Sequence, residues 1–520
     1  MKIRVYLRLF GSLLKLLAVL LLVPGAVAAY YGETRGVLAF ALTSLLTLAT
    51  GIILGRLSSD DEMGHKEGFA LVALGWLGVA FFGALPFVFL GLSIVNGLFE
   101  SMSGFTTTGS SILTESNAEG YWIINSTLAN NSLAADLEGK LHNLFINSTI
   151  FQPMGEQTYF GLLFWRSFSQ WLGGMGFILL FIAILPRLGV AGRQLYRAEV
   201  PGPDKDAVTP RIRQTARVLW WVYVLLTVAE IVLLMVSGMS LYDSTCNTFG
   251  CMATGGFSPQ AVSIMAFQSV WVEVIITLFM FLAGANFVLH YRTLYSDRTS
   301  LIRDPEFKFY TAIILVAAAI IVFWGGVEGD LTNKIRLALF QVVSIMTTTG
   351  FATTDFDKWT AAAKYVLLLL MFIGACAGST GGAIKVVRVI LILKSGFKEL
   401  IQALHPKAVL SVRLSGNIVR DEVLRPSNIF VALYLIIFAV ATLLLTIISY
   451  DDPGMTIEAT TSAVATTLGN VGPGFGKVGP MFSFEYIHPL GKMLLFFCMW
   501  IGRLEVVTAL VLLVPEFWKK

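Results

Sequence analysis

Charged side chains are scarce in this sequence. Asp, Glu, Lys and Arg make up 13% of 520 residues, against about 25% in soluble domains. That shortage excludes an ordinary water-soluble domain and places the chain in the membrane class, where the usual relation between length and domain number lapses. Neither sign of charge dominates: the formal net charge is +4, too small to suggest nucleic acid as a partner. Cysteine is also short. Cys246, Cys251, Cys376 and Cys498 form no C-x-x-C pair and no zinc spacing, which leaves buried free thiols as the plain reading. The histidines His65, His142, His290, His405 and His488 are scattered, with none paired at metal-ligand spacing. No nucleophile–base pair stands out. "GSTGGAIK" (378–385) fails as a phosphate loop, because Ala383 and Ile384 separate Gly382 from Lys385. "GPGFG" (472–476) has no βαβ context. No enzyme is expected, and no bound organic cofactor.

Long apolar runs are what the sequence has instead, 56% of it being hydrophobic. They cover residues 9–29, 37–56, 68–91, 158–187, 213–238, 266–291, 308–325, 361–394 (interrupted), 428–449 and 488–515. Each is long enough to cross a hydrocarbon layer of about 30 Å, so ten spans are expected. The start, "MKIRVYLRLFGSLLKLLAVLLLVPGAVAAYYG", reads as a retained first span or as a signal peptide; Lys15 inside the apolar centre and the length of the run favour the span. Basic residues orient the whole. They crowd 187–217 (Arg187, Arg193, Arg197, Lys205, Arg211, Arg213, Arg217), 292–308 and 394–425, and Lys519 and Lys520 close the chain; 94–157 has only Lys140 and 239–262 has none. The basic loops are therefore expected inside, and ten spans put both termini inside. The polar stretch 112–157 is then external. Its sequons at Asn125, Asn130 and Asn147 matter only in a cell that glycosylates exported proteins.

Between spans lie four less apolar pieces: "SIVNGLFESMSGF", "LYDSTCNTFGCMA", "NKIRLALFQVVSIM" and "TIEATTSAVATTL". They are too short to cross and suit re-entrant helices. Each ends in a related motif: "FTTTG" (105–109), "CMATG" (251–255), "MTTTG" (346–350) and, more weakly, "LGNVG" (468–472). The unit is span, short helix, glycine motif, span, and it occurs four times. Its chemistry suits a dehydrated cation. Backbone carbonyls can replace hydration oxygens, glycine takes the conformations that aim them at a common axis, and irregular backbone at membrane depth is tolerated beside a watery path. A short helix pointing its C-terminal end at that path favours positive charge. Close helix packing through Thr and Gly is the plainer alternative, but it does not account for four units in register. A cation-coupled secondary transporter of a solute remains the rival from another class; it would show two-fold symmetry and intramembrane acids.

Two further features lie inside the membrane. Arg503, in "CMWIGRLEVV", is either half of a structural ion pair, with Glu505 or another acid, or a positive barrier to cations. "GACAGSTGGAIK" (374–385) puts Gly374, Gly378, Gly381 and Gly382 in one span, either as a kinked helix or as an unwound loop acting as a gate. Lys385 and Arg388 follow it, at the inner mouth or snorkelling to the surface.

These loops resemble the selectivity filters of the Trk/Ktr/HKT superfamily of potassium transporters, and the chain is most similar to its TrkH family. The likeness covers nearly the whole chain and includes "FWRSFSQWLGGMGFILL" (164–180), "QLYRAEVPGPDKDAVTPRI" (194–212), "ATGGFSP" (253–259), "GACAGSTGGAIKVVR" (374–388) and "NVGPGFG" (470–476). It implies an all-α polytopic membrane protein with four pseudo-repeats: two N-terminal spans in 1–60, then repeats in 61–192, 193–303, 304–424 and 425–520. It implies filter glycines at Gly109, Gly255, Gly350 and Gly472, Gly469 being the rival in the fourth loop, and a preference for potassium. The filter would comprise Thr107, Thr108, Gly109, Ala253, Thr254, Gly255, Thr348, Thr349, Gly350, Asn470, Val471 and Gly472, with potassium at the backbone of Thr108, Thr254, Thr349 and Val471. Gating falls to Arg503, Gly378, Ser379, Thr380, Gly381, Gly382 and Lys385. The resemblance also implies a bacterial inner membrane, a homodimer surrounded by lipid, and a cytosolic ring of nucleotide-binding, TrkA-like regulatory subunits. No nucleic acid is implied.

Overall fold

The computed structural model describes residues 2–57, 64–114, 116–123, 158–176, 212–408, 410–414, 417–419, 421–504 and 506–519. The three sequons, Lys140, Arg187, Arg193, Arg197, Lys205, Arg211, Arg420, Glu505, Lys520 and most of the 194–212 stretch lie outside them.

The described chain is helical apart from one small hairpin, Arg413–Leu414 against Asn417–Ile418. Helices α1 (Ile3–Leu20) and α2 (Leu22–Tyr30) form one long bent span, and α3 (Thr34–Arg56) returns beside it. Gly11 and Gly51 set their spacing: a Cβ on Gly11 would sit 2.7 Å from the Gly51 carbonyl oxygen. Four units follow. The first has α4 (His65–Phe89), α5 (Ile94–Phe105) and α6 (Phe160–Gly174). The second has α7 (Ile212–Val236), α8 (Leu241–Met252), α9 (Val270–Ala283) and α10 (Phe287–Tyr295). The third has α11 (Pro305–Trp324), α12 (Leu331–Met346), α13 (Ala361–Phe372) and α14 (Val386–Leu404). The fourth has α15 (Asp421–Ile448), α16 (Ile457–Gly469) and α17 (Pro489–Arg503).

Six described helices are long and apolar enough to cross a membrane. They are the N-terminal pair and the first span of every unit. The second spans differ from expectation. Only 361–394 is interrupted in the hydropathy pattern, yet 266–291 is also broken, bending by 99° between α9 and α10, and the 488–515 run leaves its helix at Arg503. The cause is local. Gly173 and Gly502 lie so tightly on the ends of α5 and α16 that a Cβ on either would overlap the carbonyl oxygens of Phe105 and Leu468. Those oxygens are orphan helix-end acceptors, and only glycine lets the second span come that near.

Neighbouring units are tied at one rim. Glu273 on α9 pairs with Arg336 on α12 at 3.0 Å, and Lys364 on α13 with Glu458 on α16 at 2.7 Å. Lys492 on α17 donates to Asn96 Oδ1 on α5 at 2.8 Å. The join from the first unit to the second runs through tyrosines: Tyr242 on α8 donates its hydroxyl to the Phe160 carbonyl at 2.8 Å, and Tyr121 donates to Asp243 Oδ2 on α8 at 3.0 Å. The four joins close a ring of units. At the same rim Glu33, in the turn between α2 and α3, accepts backbone N–H groups from Phe160 at 2.5 Å and Gly161 at 3.2 Å. Burial pushes its carboxyl up to about 7, against the lowering effect of those two donors. At the other rim the chain ends meet. Lys2 donates its backbone N–H to Glu67, and Lys66 donates to carbonyls of Glu516 and Lys519.

Candidate functional site

Each short helix opens with a capping side chain. Ser93, Ser240, Asp330 and Thr456 accept the backbone N–H of Asn96, Asp243, Asn333 and Ala459 respectively, as helix N-termini prefer. Each closes on a left-handed residue: Thr107 (φ 54°), Thr254 (53°), Thr348 (62°) and Asn470 (54°). Two residues further on stands a glycine at positive φ: Gly109 (81°), Gly256 (74°), Gly350 (81°) and Gly472 (109°). Between them, Thr108, Gly255, Thr349 and Val471 each donate their N–H back into the short helix, to Ser103, Gly250, Ser344 and Thr466, all at 2.8 Å.

This alignment corrects the second loop by one residue. "ATGGF" offers adjacent glycines, and matching Gly255 to Gly109 aligns Thr254 with Thr108. The backbone instead makes Gly256 the equivalent of Gly109, and Gly255 the equivalent of Thr108. In the fourth loop Gly472 holds the equivalent position, while Gly469 ends the helix.

The loops close on one another. A Cβ on Gly109 would overlap the carbonyl oxygen of Gly255; on Gly256, that of Thr349; on Gly350, that of Val471; on Gly472 it would lie 2.9 Å from that of Thr108. The carbonyls of Thr108, Gly255, Thr349 and Val471 therefore stand in a ring, each against the preceding loop's glycine. All twelve residues expected from the sequence lie in these loops. The threonine hydroxyls brace the loops: Thr106 pairs with Thr108, and Thr347 with Thr349, each at 2.8 Å. Loops two and four lack that pair and borrow amides. Gln170 donates to the Gly255 carbonyl at 2.6 Å and accepts from Phe257 N–H. Asn470 donates to the Thr108 hydroxyl at 2.9 Å.

Beneath the ring, residues 374–385 are unwound rather than kinked helix. Their backbone is fastened by remote groups. Cys376 N–H donates to the Gly284 carbonyl at 3.0 Å, and Gly378 accepts from Phe287 N–H. Gly382 N–H donates to the Thr348 hydroxyl at 2.7 Å, and the Thr254 hydroxyl donates to that of Thr380 at 3.2 Å. Glu306, at the start of α11, accepts the N–H groups of Ala377 and Val387. Arg503 donates to the carbonyls of Thr380 (2.8 Å), Gly173 (2.6 Å) and Gly174 (2.9 Å), joining this loop to the end of α6. Lys385 does not snorkel: it is buried, and its ammonium donates to the Gly381 carbonyl. Arg388 is buried over the Phe430 ring, 3.9 Å from its centroid.

Sequence reasoning missed Gly256, Gln170, Glu306 and the breaks at Gly284 and Gly502. The breaks carried a signal, since each second span has its glycine at a similar distance from its start. Above the ring, an open vestibule is lined by Gly109, Gly256, Gly350 and Gly472, with Arg166 beside them. Among the described residues no cluster of His, Cys, Asp and Glu could hold a metal ion. Oxygen donors here are backbone carbonyls, which suit a weakly held, passing cation.

The family model for TrkH, described as a cation transport protein, matches residues 37–520. The Trk system potassium uptake protein TrkH of Escherichia coli (strain K12) is 37% identical over 531 residues, covering 100% of both chains. Its namesake from Halomonas elongata is 33% identical over 529 residues, with 100% of both covered. Among solved structures, the potassium transporter TrkH from Vibrio parahaemolyticus matches with TM-score 0.81 and 32% identity, covering 100% of each chain. A four-unit ring of glycine loops in a chain so related from end to end makes this protein a member of the TrkH family.

Proposed function

We propose that this chain carries potassium into the cell across the bacterial inner membrane, through the ring of loops as a selectivity filter. One observation carries the reading: the carbonyls of Thr108, Gly255, Thr349 and Val471 form a closed ring from one chain. Such carbonyls replace the hydration shell of a cation, and the C-terminal ends of α5, α8, α12 and α16 add partial negative charge beside it. The relatives' names, potassium uptake proteins, support potassium as the substrate.

Conduction is gated from below. The 374–385 loop lies directly under Thr254, Thr348 and Gly469, and Arg503 holds it while placing a positive charge beneath the filter. Gly378, Ser379, Thr380, Gly381, Gly382 and Lys385 form the movable part. The chain works as a homodimer with both termini cytoplasmic. Cytosolic nucleotide-binding subunits act on the gate through α14 and the basic segment after it. The name "Trk system" of the relatives fits a multicomponent assembly.

The test is flux into liposomes holding the purified protein, with potassium and sodium compared for wild type and Gly109→Ser. A serine at this left-handed position should cut potassium flux and lower selectivity. Unchanged flux and selectivity would sink the filter assignment.

A further inference from the structure

A cation at the mouth of a cation filter needs an explanation. Among the described residues lining the vestibule, Arg166 is the only charged one. It belongs to α6, and the other units offer no counterpart. Counted from the residue before each second span, Arg166 aligns with Ile276, Leu367 and Leu495, all buried and apolar. Its acid, Glu100, lies eight residues before Thr108; the same count from the other ring residues gives Asn247, Gln341 and Ala463. The pair thus breaks the fourfold pattern at a single place.

The pair is closed off from water, with side chains 2% and 0% exposed. Arg166 Nε meets Glu100 Oε1 at 2.6 Å. One terminal nitrogen donates to the Ser111 hydroxyl at 3.0 Å, the other to the Ser258 carbonyl at 3.4 Å. The guanidinium carbon lies 4.1 Å from the centroid of Phe257. Glu100 also accepts from the Ser111 hydroxyl and from Ile112 N–H. Ser111 and Ile112 follow Gly109, and Phe257 and Ser258 follow Gly256. Every partner is thus a residue where the first or second loop leaves the filter.

We propose that Arg166 and Glu100 are positioning residues for the filter. The guanidinium fixes the outer ends of loops one and two, and Glu100 cancels its charge so that an arriving cation is not repelled. The proposal rests on the filter reading above. A merely structural ion pair would make either single loss equally harmful. A neutralising pair makes them differ in sign, because one leaves a positive and the other a negative charge at the mouth.

The experiment measures saturation curves for potassium uptake in proteoliposomes at low ionic strength, using the full chain. The variants are Glu100→Gln, Arg166→Gln and the double Glu100→Gln/Arg166→Gln, with Gly109→Ser alongside. Glu100→Gln should raise KM by about threefold or more, the effect of one nearby charge, and added choline chloride should shrink the shift. Arg166→Gln should move KM the opposite way. The double variant should return KM towards wild type while keeping a reduced potassium-over-sodium ratio. Loss of both single variants from the membrane, with recovery in the double variant, is what a merely structural pair gives and would overturn the proposal. Same-direction KM shifts, no shifts, or failure of all three variants to insert would overturn the proposal. If Gly109→Ser still alters selectivity in that case, the filter reading survives; if Gly109→Ser changes nothing, the filter reading falls first.

Discussion

The ring of loops and the segment beneath it are both glycine-rich irregular backbone at membrane depth, yet they are held in opposite ways. Each ring loop bonds back to its own short helix, and the same 2.8 Å bond recurs in all four units. The 374–385 segment occurs once; beside a few bonds of its own, such as Gly374 N–H to the Ile384 carbonyl, it takes most of its support from borrowed partners: Gly284, Glu306, Thr348 and Arg503. Local bonds keep a conformation fixed whatever the neighbours do. Borrowed bonds make it depend on where four other elements stand. A displacement of α11 or α17 would therefore move the lower segment and leave the ring's own bonds intact, which is the division of labour that a filter and a gate require.

The sharpest way to break this comparison is at the ring's second loop. Gly256→Ala should cost at least about tenfold in potassium flux, because a left-handed non-glycine residue costs roughly 1–2 kcal/mol and the new Cβ would overlap the Thr349 carbonyl oxygen. Gly255→Ala should cost several-fold less: its φ is ordinary, and the nearest atoms to its Cβ belong to a side chain, that of Gln170 at 2.5 Å, rather than to backbone. A greater loss at Gly255, read from flux in proteoliposomes, would return the loop to the register that its sequence suggested.

The lower segment is tested next. Arg503→Ala removes three carbonyl ties and a charge, so cation flux should rise by roughly fivefold, the effect of about 1 kcal/mol on a barrier. Selectivity should hold, since no ring bond is touched. Unchanged or lower flux in well-folded protein would count against the barrier. A rise in flux with lost selectivity would show that ring and segment are not separately held.

The short helices were legible because each is a less apolar piece, too short to cross, that ends in a related glycine motif; the caps Ser93, Ser240, Asp330 and Thr456 that open them went unread. The fourth loop was legible only as a weaker echo with Gly469 as rival; the backbone shows that Asn470 takes the left-handed position that threonines occupy elsewhere. What escaped was set by backbone angle or by distance along the chain. Nothing local separates Gly255 from Gly256; only φ does. The breaks at Gly284 and Gly502 sit in apolar flanks that a hydropathy window passes straight over. Glu100 and Arg166, like Glu306 and Ala377, meet across long sequence separations, and no spacing rule links them.

The smallest effect tests whether the upper half is as self-contained as its ring. Glu33 is a borrowed partner there, accepting from Phe160 and Gly161 at the start of α6. A helix N-terminus favours the ionised carboxylate, but burial outweighs it and raises the group from 4.5 to about 7. The folded state therefore prefers the protonated acid. Its contribution is complete below about pH 4.5 and fades as pH rises through 7. Relative to Glu33→Gln, wild type should melt at higher temperature at pH 5 than at pH 8, by on the order of a degree or two. Potassium flux should be the same in both proteins, since α5 and α8 carry the first and second loops without Glu33. A wild-type advantage that grows with pH would show that the helix N-terminus prevails over burial. Altered flux would show instead that the ring leans on remote partners as the lower segment does, because the turn at Glu33 reaches the loops only at one remove, through α6 and the Tyr31–Tyr242 ring contact with α8.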